Sequence, residues 1–280
     1  MDSVLRYPGS KRFLLNYLKK WITDNNLENY SICEPFCGSA ILSLSLLRMN
    51  IVRKIYLYDK DPIIYALWEV ILTDPVWLKQ KIDSTAITMD EWNIQHSITP
   101  KTLHEQAWKC LFLNRTCFSG ILKAGPLGGK DQNSINKLDC RFNKERIKSI
   151  IDEIHAMADR IHLLQVHDWK DAINRVSARK CIVYCDPPYV VKGRELYRHF
   201  FNEDDHRKVF SRLNRLNVTK TPWLLSYDNC PLIENLCNMY NLTPTPVSMT
   251  STCGTKRLKQ TELVIHAKAV ITETQLELRF

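Results

Sequence analysis

The most pointed chemistry in this sequence is held by nine residues, Cys181-Ile182-Val183-Tyr184-Cys185-Asp186-Pro187-Pro188-Tyr189. An apolar, β-branched run ends in a carboxylate, two prolines and an aromatic ring. The run reads as a buried strand. Asp186 then stands at a strand's carboxyl end, where open α/β sheets bind their ligands. Two prolines have fixed φ and no N–H to donate, so the strand must stop there. What remains within four residues is a carboxylate, a stiffly held prolyl carbonyl and a flat ring. That set suits a planar heterocycle carrying an exocyclic amine: two acceptors take the N–H groups, and Tyr189 stacks on the face. A strand end with a Pro-Pro turn and an ordinary acid is the competing reading of these residues alone.

Three other stretches carry residues of chemical interest. Glu34-Pro35-Phe36-Cys37-Gly38-Ser39-Ala40 follows a short strand and precedes an apolar helix, Ala40–Met49. Small residues let a loop backbone approach a ligand closely. The loop is neither the dinucleotide G-x-G-x-x-G fingerprint nor a P-loop with its lysine, so a carboxylate-bearing nucleoside fits it better than a pyrophosphate. Asp59 ends a second strand, Lys54–Tyr58, about twenty residues on. That position suits ribose hydroxyls, while Asp61-Pro62 makes a good cap and first-turn pair for the next helix. At the start, Tyr7-Pro8-Gly9-Ser10-Lys11 is a turn leading into a helix over roughly 11–22. A cation in a helix's first turn is unfavourable unless a carboxylate lies near.

The elements that position these groups alternate strand and helix at both ends of the chain and point to a doubly wound, mostly parallel α/β sheet. Between about residues 62 and 160 strand signals stop and helical spacing takes over, at 63–72, 75–82, 105–113 and 145–160. This predicts an inserted helical domain at 62–160, with the sheet domain formed by 1–61 and 161–280. Residues 101–148 hold ten Lys and Arg against four Asp and Glu, with a glycine-rich stretch at Lys123–Lys130. Such a surface suits a phosphate backbone, as does the formal charge of +9 over 280 residues. Strands at 161–166, 222–227, 245–250 and 262–266 complete the reading, with a basic loop at 252–259 and loop 190–201 after the central strand. No apolar run reaches the length of a membrane span, and no signal-peptide pattern opens the chain. Ten scattered cysteines without a C-x-x-C pair read as reduced core residues of a cytoplasmic protein, with no metal centre.

Taken together these residues resemble the Dam-type DNA adenine-N6 methyltransferases, the D12 class or alpha group, which use S-adenosylmethionine (AdoMet). Tyr7-Pro-Gly-Ser-Lys11 resembles that family's aromatic-x-G-G-K motif. Glu34–Ala40 is similar to its E-P-F-x-G-x-G loop, Tyr58-Asp59 to its second-strand acid, and Asp186–Tyr189 to its catalytic D-P-P-Y. Leu113-Asn-Arg-Thr-Cys-Phe-Ser-Gly120 resembles a segment of its target-recognition domain. The motifs occur in the family's order and span most of the chain.

The resemblance implies site-specific methylation of a flipped-out adenine in double-stranded DNA, with no metal, in a bacterial or phage-infected cell. It implies AdoMet contacts from Tyr7, Lys11, Phe36, Gly38, Asp59, Asp168 and Asp186, with Lys11 near the cofactor carboxylate and Asp168 near its adenine. Asp186, Pro187 and Tyr189 are the implied catalytic groups. Arg115, Phe118, Ser119, Lys123, Lys256 and Arg257 are the implied DNA contacts, Phe118 and Ser119 as a wedge. Two departures are small: Ser10 stands where the family has Gly, and Ala40 where it has the loop's last Gly. Residues 128–143 do not match the family loop that reads G-A-T-C, so that preference is not expected here. A cytosine-N4 or RNA base amine methyltransferase, and a DNA-binding protein on a decayed methylase fold, are the alternatives. A monomer is the expected state.

Overall fold

In a computed structural model the described residues are 2–6, 11–177, 179–190, 200–253 and 256–266, the side chains of 249–253 and 256–260 excepted. Seven strands form one sheet: β1 (Ser31–Glu34), β2 (Ile55–Leu57), β3 (Ile161–Leu163), β4 (Cys181–Cys185), β5 (Trp223–Asp228), β6 (Thr245–Cys253) and β7 (Lys256–His266). Their spatial order is β3-β2-β1-β4-β5-β7-β6. The first five run parallel, with β1 between β2 and β4. β7 lies antiparallel to β5, Asp228 opposite Glu262, and β6 closes a hairpin against β7. The fold is therefore the mostly parallel α/β sheet that the sequence implies, and strand order reverses beside β1 and β4.

Every residue of β1 and β4 is buried, as expected of parallel strands covered on both faces. Alternation divides them between two hydrophobic clusters. Ile182 and Tyr184 face the first and Cys181, Val183 and Cys185 the second. The first cluster packs under α1 (Leu15–Asp24), α2 (Ile41–Arg48), α3 (Pro62–Thr73), α4 (Pro75–Ser84), α5 (Met89–Ser97), α6 (Leu103–Thr116) and α7 (Lys144–His155). The second packs under α8 (Trp169–Val176), α9 (Glu203–Leu216) and α10 (Pro231–Met239). Helices α3–α7 thus share their core with one face of the sheet.

Local signals act where the sequence places them. Asp61 accepts the Ile63 N–H at 3.2 Å ahead of Pro62. Thr102 and Glu105 form a reciprocal capping box on α6. The sequence reading misses three helices. α5 buries only Trp92 and Gln95, so it carries almost no apolar period. α8 is short, but its buried residues Trp169, Ala172, Ile173 and Val176 keep strict helical spacing behind an aspartate cap. α10 likewise follows Cys230-Pro231 with Ile233, Leu236 and Cys237 buried. The basic loop expected at 252–259 is corrected too: Thr252 and Cys253 end β6, and 256–259 already belong to β7. Pairing across the hairpin carries the strands much closer to the turn than hydrophobic alternation reveals. The helix expected from residue 11 begins as a 3-10 turn, Lys11–Leu14.

Among the described residues no cysteine is paired, and all but Cys140 of those described are buried. Among the same residues, no helix is long and apolar enough to cross a membrane, and no group of three or more His, Cys, Asp or Glu side chains is placed to hold a metal ion.

Candidate active site

The carboxyl ends of β1, β2 and β4 each deliver an acid to the same side of the sheet. Glu34, Asp59 and Asp186 meet there on the wall of one cavity, open to solvent, which Lys11, Phe36 and Gly38 also line. Glu34 and Asp186, 152 positions apart, are gathered because the strands that deliver them are adjacent. This is the crevice that a switch in strand order opens in a doubly wound sheet.

Asp186 sits in a network. Its Oδ1 accepts from Ser226 Oγ at 3.0 Å and lies 3.1 Å from Lys11 Nζ. Tyr184 Oη and Ser226 Oγ are 2.9 Å apart. Since the serine proton goes to Asp186, the tyrosine donates to the serine. Lys11 Nζ also donates to both oxygens of Glu262, at 2.7 and 2.6 Å, and to Tyr189 Oη at 2.6 Å. Tyr189 in turn donates to Glu262 Oε1 at 2.7 Å. The carboxylates around Lys11 are therefore the chain's own. Burial raises the Asp186 carboxyl above its usual range and the Glu262 charge adds to this, while Lys11 pulls the other way. Pro187 is buried, Pro188 reaches the cavity wall, and Val190 N–H donates to Asp228 at the end of β5 at 3.1 Å. That bond ties the loop after β4 to the neighbouring strand.

On the other side of the cavity, Asp59 braces the loop after β1. It accepts the Gly38 N–H and the Asp61 N–H, each at 2.9 Å. Burial pushes the Asp59 carboxyl up to about 6 against the pull of those two bonds. Gly38 and Ala40 both have positive φ, 43° and 48°. Ala40 therefore adopts at some cost the left-handed backbone that glycine takes freely. Trp68 Nε1 on α3 holds the Gly38 carbonyl at 3.0 Å. Glu34 accepts both the N–H and the hydroxyl of Ser43 in the first turn of α2. Burial nonetheless pushes its carboxyl up to about 8.

Phe36, Trp169 and Phe201 form an aromatic wall, with Phe36 centred 5.6 Å from Trp169 and 5.7 Å from Phe201. The sequence reading names neither Trp169 nor Phe201 as a site residue, although Trp169 follows Asp168 and Phe201 closes the loop at 190–201. Asp168 caps α8 through the Lys170 and Asp171 N–H groups and is not among the cavity-lining residues; its neighbour Trp169 is.

The segment resembling a DNA contact has two parts with different surroundings. Phe118 is exposed (58 %) at the tip of a tight turn in which Ser119 and Gly120 have φ of 55° and 75°. Lys123 lies at the cavity mouth. Arg115, by contrast, points inward: its Nε donates to the Val4 carbonyl at 2.8 Å and Nη2 to that of Ser3 at 3.1 Å. A guanidinium engaged by these two backbone carbonyls anchors the N-terminal segment. Buried Asn114 does the same work. Its Oδ1 accepts the Arg6 N–H at 2.7 Å, and its Nδ2 donates to the carbonyls of Arg6 and Gly120 at 2.8 and 2.9 Å. Tyr7 lies outside the described residues, as do the side chains of Lys256 and Arg257, whose backbone begins β7.

The donor set fits an adenosyl cofactor with a cationic end: aromatic faces for a purine, a braced acid for hydroxyls, and an excess of carboxylate over ammonium. A sequence profile described as "D12 class N6 adenine-specific DNA methyltransferase" matches residues 7–246. No curated protein matches the sequence. Among solved structures, a protein of Pyrococcus horikoshii provisionally assigned as an RNA methyltransferase is 10% identical with a TM-score of 0.43, covering 94% of this chain and 84% of its own. The rRNA methyltransferase aviRa of Streptomyces viridochromogenes, in a structure at 1.5 Å, is 13% identical with a TM-score of 0.37, covering 94% and 89%.

Proposed function

The chain belongs to the D12 class N6 adenine-specific DNA methyltransferase family, and from that premise we propose that it methylates the N6 amine of an adenine flipped out of duplex DNA at a specific sequence. The observation that carries this reading is the shared cavity: Asp186, Lys11, Asp59 and the Gly38 loop line one space. A base presented to Asp186 would then lie beside a cofactor held by the other groups.

AdoMet, when bound, supplies an electrophilic methyl group on a sulfonium. Phe36, Trp169 and Phe201 would hold its adenine, Asp59 its ribose, and the Gly38 loop its methionine end. The remaining work is done by the loop after β4. The adenine amine is a poor nucleophile because its lone pair is delocalised into the ring. Asp186 and the Pro187 carbonyl accept its two hydrogens and draw the nitrogen toward tetrahedral geometry, which localises the lone pair. This is catalysis by positioning and electrostatics, so Cys185 needs no role beyond packing. Tyr189 offers the face on which the base stacks. Because the target atom is inaccessible in a stacked duplex, the base must leave it at a cost of a few kcal/mol. Phe118 and Ser119 would fill the gap, and Lys123 would hold the phosphate backbone. Residues 62–160 are in this reading the target-recognition unit.

Asp186→Asn tests the assignment. It should lower the rate of methyl transfer by about 100-fold or more, with AdoMet affinity and the melting temperature nearly unchanged. An unaltered rate would remove Asp186 from the mechanism.

A further inference from the structure

The strongest unassigned feature is Glu262. Sequence reading places it in a closing strand and gives it no chemical role. It is buried (5 % exposed), yet its carboxylate meets Lys11, the lysine that also contacts Asp186. β7 runs antiparallel to β5 and sets Glu262 opposite Asp228, the residue that ends β5. An acid in the middle of β7 therefore reaches the same side of the sheet as the carboxyl ends of β4 and β5.

Resting on the function proposed above, we infer that Glu262 is a positioning residue: it holds the Lys11 ammonium and the Tyr189 hydroxyl so that Asp186 keeps its acceptor capacity for the substrate amine. Lys11 has three protons and three acceptors, Glu262, Tyr189 and Asp186. The Glu262 contacts are the shorter, 2.6 and 2.7 Å against 3.1 Å to Asp186. Two carboxylates share one ammonium, so the cluster keeps a negative charge facing the cavity. Were Glu262 neutral, the ammonium would pair one-to-one with Asp186 and occupy the lone pairs that must receive the amine hydrogens. The second bond, from Tyr189 Oη to Glu262 Oε1 at 2.7 Å, fixes the far end of the ring on which the base stacks. A ring tethered at its hydroxyl cannot swing out of register, and a displacement of about 1 Å costs on the order of 100-fold in rate.

The test is steady-state methyl transfer by the full chain, wild type against Glu262→Gln, with adenine-containing duplex DNA and AdoMet. Glutamine preserves size, keeps one of the two acceptor oxygens that Lys11 and Tyr189 share, and removes the charge. The expected result is a fall in kcat of about 10- to 100-fold, with KM for AdoMet within threefold and melting within a few degrees. Glu262→Asp, which keeps the charge, should recover part of kcat. In a Lys11→Met background Glu262→Gln should cost little more, because the ammonium it restrains is gone. The inference is overturned if an active wild type loses nothing on Glu262→Gln. It is equally overturned if the loss follows lowered melting and adds fully to that of Lys11→Met. A wild type that methylates no acceptor overturns the proposed function, and the inference with it.

Discussion

At the scale of single residues, the site is a set of acids whose carboxyls burial raises above their ordinary range. Glu34 is the extreme case, its carboxyl pushed up to about 8 by burial. A group raised in the folded state stabilises that state fully below its unfolded value, and the contribution disappears as pH rises through the folded one. For Glu34 that loss runs from about 4.5 to about 8. The cofactor-free protein should therefore become easier to melt between about pH 7 and 8, above the range where buried His206 and half-buried His162, both lowered by desolvation, account for most of the change. Glu34→Gln should flatten this slope in thermal melts across that window; an identical slope in the variant would contradict the assignment. A cationic cofactor beside Glu34 would favour its ionised form. Asp186 works in the same low-dielectric surroundings, but its neighbours Lys11, Ser226 and Glu262 decide what it can accept.

At the scale of elements, the N-terminal segment is fastened between the two halves of the site. Ser3 Oγ donates to the Ser39 carbonyl at 2.7 Å, beside the cofactor loop, while Asn114 and Arg115 grip residues 3–6 from α6. Gly120 is the tightest point: a Cβ there would lie 2.5 Å from the Arg6 carbonyl, and its φ is +75°. Gly120→Ala should destabilise the chain by about 2–4 kcal/mol, visible as a lower melting temperature. A melting temperature equal to wild type would show that the turn yields easily. Much of this architecture is legible in the sequence where the cause is local. A continuous apolar run marks β4, Asp61-Pro62 marks the start of α3, and Pro187-Pro188 stops the strand beside its acid. The helix α8 was legible in principle from Trp169, Ala172, Ile173 and Val176, and recognising it would have given Asp168 its capping role and moved attention to Trp169. Other features have no local signal. Glu262 meets Lys11 across 251 positions, and Ser226 meets Asp186 only because β4 and β5 are neighbours. The hydrogen bonds of Arg115 to the Val4 and Ser3 carbonyls span 111 and 112 positions and have no local signal either.

At the scale of the whole molecule, the end of α6 with the turn after it and the carboxyl edge of the sheet open on the same cavity, since Asn114, Gly120 and Lys123 line it together with Asp186 and Asp59. Phe118 stands exposed beside that mouth. If it wedges into the duplex, Phe118→Ala should retain DNA affinity within a few-fold, because phosphate contacts dominate binding. It should lose the fluorescence rise of 2-aminopurine placed at the target position; an undiminished signal would assign the wedge elsewhere. The central claim is that this cavity receives an adenine from DNA. It is tested most directly by incubating the protein with methyl-labelled AdoMet and mixed-sequence duplex DNA and RNA, digesting the products and identifying the labelled nucleoside. The account predicts label in N6-methyladenine from DNA, and label in N4-methylcytosine or in RNA alone would contradict it.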